Sequence, residues 1–102
     1  MSAFLYKLIP PRLSFPADIT PAEAQLMREH GQYWRELLER DAVVVFGPVA
    51  DPKGAYGIAV VIQPGETEAR ELAAGDPAIK ANIGFSFELH AMPQCITKTR
   101  EQ

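Results

Sequence analysis

Among the side chains able to move protons, two stand out by position. His30 sits between Met27 and Trp34 in an apolar stripe, and Asp76 stands immediately before Pro77. Histidine titrates near ~6.5 when unperturbed, so a positioned ring can take or give a proton at working pH. A lone histidine on an apolar face is more often a core residue whose ring nitrogens are satisfied by backbone groups. Gly31 argues for more. Glycine inside a helix costs about 1 kcal/mol relative to alanine, so its place beside His30 points to close approach by another backbone or a ligand. Asp76-Pro77 has a structural explanation of its own, a helix N-cap followed by its first residue. The chemical reading is a carboxylate that orients His30 and stabilises its protonated form. The two are compatible if one carboxylate oxygen serves each. Asp51-Pro52 looks similar, but the turn Asp51-Pro52-Lys53-Gly54 accounts for it fully.

Other chemistries lack their residues. Ser14, Thr20 and Ser86 have no G-x-S-x-G context, which removes a serine hydrolase. No G-x-G-x-x-G or G-K-[ST] is present, so nucleotide binding has no support. Cys95 is the single cysteine, and no CxxC or Cys/His spacing suggests a metal. No metal and no cofactor are expected. Glu88 and His90 fit a solvated sheet edge. Tyr6, Tyr33, Trp34 and Tyr56 are amphipathic aromatics suited to lining a pocket, although such spacing is usually core. Tyr6 and Trp34 are taken as candidate ligand-binding residues.

The elements that must position these groups are legible. Residues 3–9 read as a strand ended by Pro10-Pro11. The loop over 10–20 is long and not especially polar, so it should pack over something. Thr20-Pro21-Ala22-Glu23 is a capping box with proline at the first helical position. Leu26, Met27, His30, Tyr33, Trp34, Leu37 and Leu38 then form the apolar face of a helix ending near Arg40. Arg28, Glu29, Arg35, Glu36 and Glu39 are assigned mainly to its solvated side. Residues 42–49 and 55–62 read as a hairpin, and 65–74 as a short helix with Gly75 at its C-cap. Residues 84–91 alternate as a last strand, Phe85, Phe87 and Leu89 one way and Ser86, Glu88 and His90 the other. The order βαββαβ predicts a ferredoxin-like α+β domain over 1–95, with a tail at 96–102. Val43 to Phe46 and Ile58 to Ile62 are apolar at consecutive positions, so both sheet faces need cover. The chain has no spare element, and a second copy of itself is the simplest candidate.

Composition narrows the partners. The net charge is −3 and the ten basic residues are scattered, which does not supply a phosphate-binding footprint and argues against nucleic acid. The run Ala3-Phe4-Leu5-Tyr6 is too short for a signal-peptide core or membrane span, and a single cysteine fits a reducing compartment. A cytoplasmic location with no membrane partner is expected.

His30 with Tyr33-Trp34 and Leu37-Leu38, Phe46-Gly47-Pro48-Val49, Tyr56-Gly57-Ile58 and Asp76-Pro77-Ala78-Ile79 occur in an order that resembles the YciI-like (YCII-related) family, from about residue 3 to residue 93. The resemblance implies a dimeric α+β barrel formed by pairing two sheets. It implies a pocket near the subunit interface in which His30 and Asp76 match the family's histidine and aspartate, and it adds Gly47 and Pro48 to the candidate ligand-binding residues. Relatives in the barrel superfamily include muconolactone isomerase, and the family includes a dehydrochlorinase acting on a chlorinated hydroxyhydroquinone. Family members usually carry glycine six residues after the aspartate. Here that place is Asn82, which tolerates the left-handed backbone glycine would adopt. The Pro-rich stretch at 10–20 is longer than in the shortest members. Two functions follow as expectations. One is a cofactor-independent lyase or isomerase, dehydrochlorinase-like, in which the His30–Asp76 pair moves a proton on a small cyclic or aromatic molecule. The other is a non-catalytic dimeric module that uses the same pocket to hold a small molecule.

Overall fold

A computed structural model describes residues 1–98. Its elements are β1 (Ser2–Ile9), α1 (Pro21–Glu39), β2 (Val43–Val49), β3 (Tyr56–Gln63), α2 (Glu66–Ala74), α3 (Pro77–Lys80) and β4 (Ser86–Met92). The strands form one antiparallel sheet in the order β2-β3-β1-β4. This is the expected ferredoxin-like α+β arrangement, with one addition: the Asp-Pro turn winds into the single-turn helix α3. Residues 96–98 of the expected tail have no regular structure, and 99–102 lie outside the described residues. Among the described residues, no helix is long and apolar enough to cross a membrane.

The capping box closes as its residue types require. Thr20 Oγ1 accepts from the Glu23 amide at 3.1 Å, and the Thr20 amide donates to Glu23 Oε1 at 3.0 Å. From that start α1 buries Leu26, Trp34 and Leu37 against the sheet, where they meet Phe4, Tyr6, Ala59 and Val61. Strand register shows why the sheet has an inner and an outer face. Phe4 pairs with Val61, Tyr6 with Ala59 and Leu89, and Leu8 with Phe87, all on the helix side. Leu5, Lys7, Ile58, Val60, Glu88 and His90 share the other side. Of that outer set, none belongs to the core.

One feature of β2 has no signature in the apolar run. The ladder shifts register between Val43 and Val45, so Val44 is an extra residue. Strict alternation would put Val43 and Phe46 on opposite faces. With the bulge, Val43 pairs with Val61 and Phe46 with Ala59, and both face inward. Val45 points out and is 48% exposed.

The loop at 10–20, expected to pack over something, does so through Phe15 alone, while Leu13 is 83% and Ile19 37% exposed. Arg12 ties it down, donating from Nε to Asp18 Oδ1 at 2.9 Å and from Nη1 and Nη2 to the two Glu23 oxygens at 2.8 Å each. Its guanidinium is thus shared between the loop and the first turn of α1. Phe15, at the loop's centre, is buried edge-on against Phe85 with ring centroids 5.5 Å apart.

Candidate active site

The three elements nearest the centre of the fold each supply a donor to one carboxylate. Asp76 is fully buried, at 0% exposure. Its Oδ1 accepts from the Ala78 amide at 2.9 Å, which is the N-cap bond of α3. Its Oδ2 accepts from the Tyr6 hydroxyl of β1 at 2.7 Å and from Trp34 Nε1 of α1 at 2.8 Å. His30 Nδ1, one helical turn before Trp34, lies 2.9 Å from Oδ1 and 2.8 Å from Oδ2. Capping and histidine contact therefore coexist on one side chain, but not with one oxygen for each: His30 Nδ1 lies against both, and Oδ1 carries the cap bond as well.

The local backbone explains how the carboxylate reaches this place. Gly75 ends α2 in right-handed conformation, with φ −80°, so left-handed freedom is not why glycine is here. A Cβ on Gly75 would stand 2.6 Å from the Tyr33 hydroxyl, which donates to the Leu72 carbonyl at 2.6 Å. The α2–α3 junction passes so close to α1 that only glycine fits. Pro77 then opens α3 and leaves Asp76 at its N-terminus. Asn82 takes the left-handed backbone, φ 54°, that its position demands.

Burial by itself would raise the Asp76 carboxyl. The bonds from His30, Trp34 and Tyr6, with the attraction of the His30 ring, outweigh it and hold the group below its ordinary range. Burial and the neighbouring Asp76 charge push the Tyr6 phenol far upward, so it remains a donor. An ionised carboxylate only accepts, and the proton between Asp76 and His30 therefore sits on Nδ1. That leaves Nε2 as the ring nitrogen turned away from Asp76. It has no bonding partner among the described residues, and His30 keeps 20% of its side-chain surface exposed.

His30 lines a cavity of about 280 Å³ between α1, the 10–20 loop and the β2–β3 hairpin. Leu8, Phe15, Met27, Phe46 and Phe85 make most of its wall apolar, and Gly47, Pro48 and Tyr56 complete the hairpin side. Of the candidate ligand-binding residues, Gly47 and Pro48 stand on this wall. Tyr6 and Trp34 stand behind it, each 1% exposed, holding Asp76 rather than facing the cavity. Glu88 and His90 lie together on the outer sheet face, 3.1 Å apart and away from the cavity. Gly31 also lines the cavity, and no other backbone approaches it; the nearest atom to a Cβ there is Arg35 Nη1 at 4.0 Å. Arg35 is exposed, as assigned above, and its side chain also lines the cavity. Its four-residue spacing from Gly31 was the available signal, since i and i+4 share a helix face. Among the described residues, no group of three or more His, Cys, Asp or Glu side chains could hold a metal ion.

No curated protein matches this chain. Among solved structures, a formyltetrahydrofolate deformylase from Pseudomonas putida KT2440 is similar over 90% of this chain and 29% of that one, with 22% identity and a TM-score of 0.42. The chain thus spans less than a third of that protein's length. The family model described as the YCII-related domain matches residues 10–93. That interval contains α1, the β2–β3 hairpin, Asp76 and β4, and the chain belongs to the YCII-related domain family.

Proposed function

We propose that this protein is a small-molecule enzyme, a lyase or isomerase, in which Nε2 of His30 moves one proton on a cyclic or aromatic molecule in the cavity. The observation that carries the reading is the His30 ring itself, bonded through Nδ1 to a buried carboxylate at 2.8 Å while its other nitrogen has no protein partner and the ring lines the cavity. Nε2 takes a proton from an acidified carbon, and the imidazolium formed is stabilised by Asp76. In an isomerisation the same proton returns to a neighbouring carbon. In an elimination the electron pair expels a leaving group, and the proton passes to water. Asp76 touches no substrate and acts as a positioning residue. The proposal includes a homodimer in which a second copy covers the outer sheet face, since Leu5, Ile58 and Val60 there belong to no core within the chain.

A substrate found by screening cyclic and aromatic hydroxy, halo and lactone compounds provides the test. His30→Ala is expected to lower kcat by ~10²–10⁴-fold, the usual worth of a general base. Asp76→Asn is expected to lower kcat with little change in KM. Full turnover in both variants would refute the proton-transfer reading. Binding without turnover by any variant, wild type included, would leave a holding module instead.

A further inference from the structure

We infer that Arg35 anchors an oxyanion, so that the molecule this cavity takes is a small monoanion with a flat apolar body, a carboxylate or a phenolate. The inference rests on the proposed role of His30 only for which end of the molecule reacts. Its support is separate. Arg12, Arg28 and Arg70 are each committed to side-chain partners, to Asp18 and Glu23, to Gln25 and to Glu66. The side chain of Arg35, an exposed residue, has no hydrogen bond or ion pair with any described residue, as is true of Arg40, but among the described residues it is the one permanently charged side chain that lines the cavity. No carboxylate shares that wall, because Asp76 is sealed behind His30. Apart from His30 and the Tyr56 phenol, the rest of the lining is apolar or glycine, which suits an apolar ring.

Gly31 supplies the second, independent observation. It weakens α1 for no packing reason, since a Cβ would meet nothing closer than Arg35 Nη1 at 4.0 Å. The space it leaves lies in the cavity between His30 and Arg35 in the chain, where a ring bridging the two would lie. Arginine suits the far end, because its planar fork pairs with the two oxygens of a carboxylate.

Matched probes test this by NMR titration of the intact protein. Benzoate and 4-nitrophenolate represent the two oxyanion classes, and benzamide is the neutral control. At least one anion is expected to bind with shifts at His30 and Gly31, and benzamide to bind ~2–5-fold more weakly, the scale of an exposed ion pair. Arg35→Gln is expected to remove that difference while leaving benzamide unchanged. Gly31→Leu is expected to keep or raise Tm and to weaken anion binding at least ~10-fold. His30→Ala is expected to keep the preference for anion over benzamide even where overall affinity falls, which separates this assignment from the proton-transfer reading. The inference is overturned if neither anion binds, if benzamide binds as well as the anions, or if Arg35→Gln leaves anion affinity unchanged.

Discussion

Asp76 holds four donors, and they differ in what they can do when it changes. Trp34 Nε1 and the Ala78 amide can only donate, whereas the Tyr6 hydroxyl can rotate and His30 can change tautomer. Asparagine offers one oxygen and one NH2 group, so Asp76→Asn must leave one of the two obligate donors facing a donor. The expected cost is about 1–3 kcal/mol in chemical denaturation. Long-range 15N–1H correlation spectra read the His30 tautomer directly: the proton is expected on Nδ1 in the wild type, and a proton on Nε2 there would contradict the bonding described. Because the folded carboxyl of Asp76 titrates below its unfolded value of ~3.9, the ionised group favours folding. That stabilisation is complete above pH ~4 and is lost as the pH falls through the folded value, so acid unfolding should be less steep in Asp76→Asn. His30 and Asp76 were legible from residue type and from family order. The donors behind them were not, because Tyr6 lies 70 residues from Asp76 and nothing local in either segment records the bond.

At the scale of elements, the 10–20 loop is a wall, and one arginine holds it. Arg12 joins Asp18 to Glu23, and those bonds depress the Glu23 carboxyl to about 2. The unfolded value is ~4.3, so this contribution to the loop is present above pH ~4.3 and lost as the pH drops toward 2. Arg12→Met should release the loop without unfolding the sheet. Amide exchange of Ala17 and Ile19, whose N–H groups close turns onto Ser14 and Pro16, is expected to accelerate at least ~10-fold, with β1 and β3 amides unaffected. Equal exchange in variant and wild type would show that Phe15 against Phe85 suffices to hold it. The helix start, the hairpin turn and the alternation of β4 were all readable, since each depends on neighbours in sequence. The β2 bulge was not. In a run of valines every register buries something apolar, and only pairing with β3 selects the one that turns Phe46 toward the cavity.

For the whole molecule, the sheet's outer face is apolar at Leu5, Ile58, Val60 and the exposed Val45. If a second copy covers it, sedimentation velocity at micromolar concentration should give a dimer, and Val45→Glu with Val60→Lys should give a folded monomer. A wild-type monomer would remove the dimer from the proposal. The need for cover was visible in sequence as apolar residues at consecutive positions, but the faces themselves became clear only once the register was known. The position of the acceptor along the chain has a further consequence, for synthesis. Tyr6, His30 and Trp34 all emerge from the ribosome before Asp76, which joins them across 70, 46 and 42 residues. A nascent chain carries three side-chain donors waiting for one acceptor. The His30 ring finds the acceptor that fixes its tautomer only when the α2–α3 junction arrives, after most of the chain has been synthesised.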